Sequence, residues 1–181
     1  PGAGNGDGDR RLALLAQHAP LVLATAFDYH TVRGQPVREG ALAAGSVPQP
    51  GAKPLPATGY IGNHAGLAGA QQVGNIGFVP DADGVLRRIP MYTSYNGRAY
   101  PALTLALAGC CSGAAVPALP SSNMVRVPFV RDWSAYDVVS AADILDQSLD
   151  AASTSGRLVL ALLRQNRVRD NALFGTYPAM T

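Results

Sequence analysis

The chain has 181 residues, 48% of them apolar and 14% charged, and 14 Lys and Arg against 12 Asp and Glu leave a net charge of +2. That much apolar material excludes a disordered segment. So small and scattered a positive charge excludes a nucleic-acid binder, which gathers Lys and Arg on one face.

The chain opens on Pro1, and its length fits one domain, 1–181, cut from a longer protein. One of the two longest uncharged stretches lies between Arg98 and Arg126. Pro101, Gly109, Gly113, Pro117 and Pro120 interrupt it. Its continuous apolar part falls short of the ~20 residues a membrane helix needs. The chain therefore reads as a soluble part, with any membrane segments outside it. Its two cysteines, Cys110 and Cys111, are adjacent. A disulfide framework needs partners far apart in sequence, so none is expected. The pair reads as helix-end packing groups, a strained vicinal disulfide or a redox switch being the alternatives.

In chain order, residues 1–9 are a Gly-rich lead-in. Asp9 is placed to cap a helix over Arg10–His18, with Leu12, Leu15 and Ala16 on one face. After Pro20, the run Leu21–Phe27 predicts a buried strand. Residues 31–72 read as a mobile, loop-rich connection, with a short helix around Glu39–Ala44. The most legible stretch is 74–109. Asn75–Val79 predicts a strand, Pro80–Gly84 a hairpin turn, and Val85–Tyr95 a second strand. Asn96-Gly97 predicts a hairpin, and Pro101 starts a helix reaching Gly109. Beyond it, Met124–Phe129 predicts a strand. Ser140 caps a helix to Leu149 with Ala141, Ile144, Leu145 and Leu149 inward, and Arg157–Leu163 is a buried strand. The fold class is α/β, a mixed sheet with flanking helices and a β-meander near residues 74–100.

Enzyme signatures do not appear. No Gly-x-Ser-x-Gly elbow, Walker loop or Gly-x-Gly-x-x-Gly occurs, so neither catalytic residues nor a cofactor are expected. His18, His30 and His64 stand apart, which argues against a metal site. Asp81-x-Asp83-Gly84 opens like a calcium loop, but the one Glu of the chain is Glu39, upstream of it, so a turn is the better reading. Arg87 and Arg88 follow that turn. Neighbours on a strand face opposite sides, so one of them is expected to point inward, paired with Asp143 or Asp170. The pair reads either as a structural ion pair or as guanidinium capture of an anionic small-molecule ligand. Asp81, Asp83, Arg87, Arg88 and Asp170 are the candidate ligand-binding residues.

Several motifs, in order, resemble the type-two CHASE domain. They are Gly77–Pro90, with Asp81-Ala82-Asp83-Gly84 and Arg87-Arg88-Ile89-Pro90; Tyr100-Pro101-Ala102-Leu103 with Leu105–Ala108; and Ser140-Ala141-Ala142-Asp143-Ile144-Leu145. Gly156–Leu160, Asp170 and Thr176-x-Pro178 complete the series, and residues 7–27 fit an earlier part of the family. The likeness covers about residues 7–27 and 74–178. It departs where the family's closing strand runs into a Gly, since here Leu160-Ala161-Leu162-Leu163-Arg164 stands, and its Trp-Pro-x-Arg helix is absent. The resemblance implies a periplasmic or extracellular sensory module. It would be anchored by membrane helices and joined to a cytoplasmic cyclase, histidine kinase or Ser/Thr kinase. A homodimerising module without ligand and a stand-alone hydrolase or transferase are the competing expectations.

Overall fold

The structure is a computed structural model and describes residues 6–29, 35–46, 53–111, 122–129 and 137–146. The chain divides into two compact units, Pro1–Phe129 and Val130–Thr181. The predicted strand Arg157–Leu163 lies outside the described residues, as do His30 and Leu149.

The first unit opens with α1 (Gly6–His18), which begins a turn earlier than expected, so Asp7 and Asp9 lie in its first turn rather than before it. Carboxylates there favour the positive end of the helix dipole. Leu12 and Leu15 do not bury; Ala16 does. The helix meets the chain through that small side, where Gln71 N–H donates to the Ala16 carbonyl at 3.2 Å.

Strand β1 (Leu23–Asp28) lies at the centre of the first sheet. It pairs antiparallel with β4 (Gly59–Ile61) and parallel with β5 (Val73–Asn75), while β2 (Arg38–Glu39) adds to β4, giving the order β2-β4-β1-β5. The stretch read as a loop-rich connection thus contributes three strands, β2, β4 and β3 (Leu55–Pro56), and one 3₁₀ turn at Ala65–Leu67. No helix forms at Glu39–Ala44. Gly40, at φ +74°, turns the chain there, and Ala41 bridges Asn63. His64 caps the 3₁₀ turn, its Nδ1 accepting from Gly66 N–H at 3.1 Å.

The second sheet has the order β3-β7-β8, with β7 (Tyr92–Tyr95) and β8 (Arg98–Pro101) forming the expected Asn-Gly hairpin. Asn96 and Gly97 have φ of 46° and 72°, the paired positive values of a type I′ turn. Pro101 closes β8 instead of opening a helix. Ala102 donates to the Met91 carbonyl at 2.7 Å, and α2 (Leu103–Cys111) begins one residue later. Cys110, half-buried near its end, is a thiol.

Two predicted strands differ from expectation: the strand expected over Asn75–Val79 does not form, β5 lying at Val73–Asn75 instead, and the one expected over Val85–Tyr95 is interrupted. Asn75 ends β5 because its Oδ1 accepts from Gly77 N–H at 2.6 Å, bending the chain out of the sheet. The expected strand Val85–Tyr95 divides into β6 (Arg88–Pro90) and β7. Pro90 offers no N–H. Beyond it, Met91 and Tyr92 N–H donate to the backbone and side-chain oxygens of Asn123. The Asp-Gly corner is therefore not a hairpin between paired strands. Instead β6 pairs antiparallel with β9 (Met124–Arg126).

Among the described residues, the first two sheets meet at two places. Asn75 bridges Ala102 in parallel, joining β5 to the end of β8. Between β3 and β4, Ala57 N–H reaches Ser94 and Thr58 N–H reaches Asp28. The interior is aromatic, with Phe27 4.8 Å from Tyr100 and Tyr60 5.2 Å from Tyr95, ring centre to ring centre. Gly74 lets α2 lie against β5, since a Cβ there would stand 2.4 Å from Leu103 Cα. The mixed sheets and helices form an α/β fold. In the second unit, Ser140 caps α3 (Ala141–Leu145) as expected, its Oγ accepting from Ala142 N–H at 3.2 Å. Ile144, expected inward, is exposed.

Candidate functional site

The residues singled out around the Asp-Gly corner come together. Gly84, at φ +80°, lets the chain turn so that its N–H reaches the Asp81 carbonyl at 2.8 Å. Asp83 Oδ1 accepts from Val85 N–H at 3.1 Å, fixing that carboxylate. Arg87 then approaches Asp83 in fork geometry, Nη1 to Oδ1 at 2.9 Å and Nη2 to Oδ2 at 2.8 Å. Its Nη1 also meets Asp81 Oδ2 at 3.1 Å. Arg88 Nη2 takes the other oxygen of Asp81, Oδ1, at 2.8 Å.

The two arginines do not part to opposite faces. Arg87 precedes β6, so strand alternation does not govern it, and one carboxylate receives both guanidinium groups. Their partners are supplied by the corner, where the sequence reading looked to Asp143 or Asp170; Asp170 lies outside the described residues.

Electrostatically the corner is closed upon itself: two carboxylates cancel two guanidinium groups. The Arg87 hydrogen bonds, helped by Val85 N–H, pull the Asp83 carboxyl down to about 2. Arg88 first and Arg87 second lower that of Asp81. Hydrogen bonds to Asp83 and Asp81 push the Arg87 guanidinium further up. Asp81, Asp83 and Arg87 therefore stay charged at neutral pH. No pair here couples a nucleophile to a base, and no group of metal-ligating side chains gathers among the described residues. Arg88 is the more exposed arginine, at 55% against 42% for Arg87, and holds Asp81 through a single nitrogen.

A second polar grouping lies inside the fold, and sequence reasoning did not find it. Tyr29 follows β1 two residues after Phe27. Thr93 on β7 stands two residues before Tyr95. Thr93 shares a face of β7 with Tyr95, and Tyr29 packs against the aromatic cluster, so both extend the interior with hydroxyl groups. Asn75, 4% exposed, joins them. Its Nδ2 donates to Tyr29 Oη at 2.6 Å and to Thr93 Oγ1 at 2.9 Å. Its Oδ1 accepts from the N–H groups of Phe27 at 3.3 Å and Gly77 at 2.6 Å. Tyr29 Oη and Thr93 Oγ1 are 2.6 Å apart. Burial pushes the Tyr29 hydroxyl above its ordinary pKa, against the lowering effect of its Thr93 and Asn75 hydrogen bonds. It remains a neutral donor and acceptor. The one signal in the sequence was an Asn among apolar strand residues.

A family model described as the CHASE2 domain matches residues 5–170. No curated protein and no solved structure matches the chain.

Proposed function

Because the chain belongs to the CHASE2 domain family, a family of extracellular sensory modules, we propose that it is the sensing part of a bacterial transmembrane receptor. It acts outside the cytoplasm, on the periplasmic or extracellular face of the membrane. A ligand or partner shifts its conformational balance, and the shift regulates a cytoplasmic cyclase or kinase. The observation that carries this reading is the family match over 166 residues, from 5 to 170. Among the described residues no helix is long and apolar enough to cross a membrane.

In this reading Asp81, Asp83, Arg87 and Arg88 form first of all an ion-paired clamp that shapes the chain between β5 and β6. A second role, capture of an anionic ligand, is favoured by one observation. Arg88 is exposed and bound through one nitrogen, so an anion can take it by displacing Asp81. Thermal melts with inorganic phosphate separate the two roles. Capture predicts a rise in melting temperature that Arg88→Ala removes; an unchanged melt leaves only the clamp. The receptor reading is tested by treating cells that make the full-length protein with an external protease. Digestion of this domain in intact cells is expected, and full protection until lysis would overturn it.

A further inference from the structure

We propose that the Tyr29 hydroxyl is a binding contact, donating its hydrogen to a carboxylate or carbonyl oxygen of a small ligand at the carboxyl ends of β1 and β5. The argument is a count of hydrogens. Asn75 spends its two Nδ2 hydrogens on Tyr29 Oη and Thr93 Oγ1, with the Gly77 carbonyl a distant third acceptor at 3.4 Å. The two hydroxyl groups then share one short contact, 2.6 Å, in which either could donate. They bring two hydrogens to it, and only one is used.

Burial decides which hydroxyl keeps its hydrogen free. Thr93 is 0% exposed, and among the described residues its side-chain oxygen meets Asn75 and Tyr29 alone. If Tyr29 donated to Thr93, the threonine hydrogen would be stranded without an acceptor in a closed interior, the costly arrangement for a buried donor. So Thr93 donates to Tyr29. The tyrosine oxygen now accepts twice, and its own hydrogen points away from Asn75 and Thr93. Accepting two hydrogen bonds polarises the O–H and makes it the stronger donor.

Position supports a ligand as the acceptor. β1 and β5 are adjacent and parallel, Tyr29 directly follows β1, and Asn75 is the last residue of β5. Ligands of open α/β sheets gather outside the carboxyl ends of parallel strands. The contact is also tied to the frame. Through Asn75, the donor is linked to the backbone of Phe27 and Gly77, and through Thr93 to β7. A ligand drawing on Tyr29 therefore acts on three strands from two sheets.

The proposal rests on the sensory reading for its meaning, but its test reads binding by the full 181-residue chain alone, so its failure would leave the receptor reading standing. The probes are sodium acetate for a carboxylate, N-methylacetamide for a carbonyl and methylammonium chloride as a donor-only control, at equal ionic strength. The readout is the NMR shift of the Asn75 side-chain amide and the Tyr29 ring. At least one acceptor probe is expected to give a saturable shift, weakened at least tenfold by Tyr29→Phe and unchanged by Arg88→Ala. Shifts without saturation, shifts equal in Tyr29→Phe or with methylammonium, or shifts abolished by Arg88→Ala would overturn the assignment. Should Tyr29→Phe fail to fold, the wild-type chain still decides. The Thr93 hydroxyl proton is expected to be protected from solvent exchange and the Tyr29 proton to exchange freely, and the reverse order overturns it.

Discussion

Replacing Asn75 by Ala removes an amide that serves five hydrogen-bonding groups, of which two have no alternative. The hydroxyls of Tyr29 and Thr93 lose a donor but keep each other at 2.6 Å. The N–H groups of Phe27 and Gly77 lose their acceptor, Asn75 Oδ1, at 3.3 and 2.6 Å. Each stranded buried donor costs about 1–3 kcal/mol. The longer Phe27 bond sits at the low end of that range, so the pair amounts to about 2–5 kcal/mol. For a domain of ordinary stability, about 5–15 kcal/mol, that is a large fraction. Urea unfolding monitored by tyrosine fluorescence would measure it, with Asn63→Ala as the comparison. Asn63 Nδ2 reaches the Ala24 carbonyl at 3.1 Å and Thr25 Oγ1 at 3.4 Å in a half-buried place. Its loss should cost about 1 kcal/mol. Equal midpoints for the two variants would refute the view that Asn75 holds the sheets together.

Gly74→Ala places a methyl group 2.4 Å from Leu103 Cα, and forcing α2 outward should cost about 1–3 kcal/mol in the same urea assay. Asn123 pairs with both the N–H and the carbonyl of Tyr92 through its side chain while its backbone sits at φ 57°. Asn123→Gly keeps that φ without strain and Asn123→Ala does not. Glycine should therefore be the less damaging substitution by about 0.5–1 kcal/mol; denaturation midpoints in the opposite order would show that φ is not the constraint. Asp83 titrates at about 2 when folded, below its ordinary 3.8. Its stabilising contribution is therefore complete above the ordinary carboxylate range and is lost as the pH falls from about 4 towards 2. Carbon-detected NMR of its carboxyl should follow this, and in Arg87→Gln the midpoint should return towards 3.8; a midpoint still near 2 would mean that Arg87 is not the cause.

Local signals were legible and long-range ones were not. Asn96-Gly97 specified its hairpin because both positive φ values belong to two adjacent residues. The helix after Ser140 and the strand after Pro20 announced themselves by a cap and an apolar run in the same way. The order of motifs identified the family, since order is a property of the sequence itself. Strand partners depend on residues far away. The pairing of β6 with β9 joins Arg88 to Arg126, and no pattern within either segment names the other. The divided strand Val85–Tyr95 shows the same limit. Pro90 was visible, but the oxygen that takes over the ladder belongs to Asn123. At the corner, Asp81, Asp83, Arg87 and Arg88 meet, but the partner expected at Asp143 or Asp170 is supplied by Asp81 and Asp83, seven residues or fewer away. Residues 31–72 read as loop because the strands within them, of two or three residues, carry too little alternation to register.

The two polar groupings differ in what must be folded before they exist. The corner draws its four charges from residues 81 to 88 and can form whenever that turn forms, whatever the rest of the chain does. Tyr29, Asn75 and Thr93 meet only after β1, β5 and β7 have come together from positions 46 and 18 residues apart. The corner reaches the sheets through Arg88, the first residue of β6, which pairs with Arg126 of β9. A network spanning three strands has its geometry set by how those strands meet, so anything that draws on one of its groups bears on the junction between the sheets. Sensing requires coupling between a contact and the frame, and the interior network joins three strands of two sheets where the paired charges of the corner touch only β6.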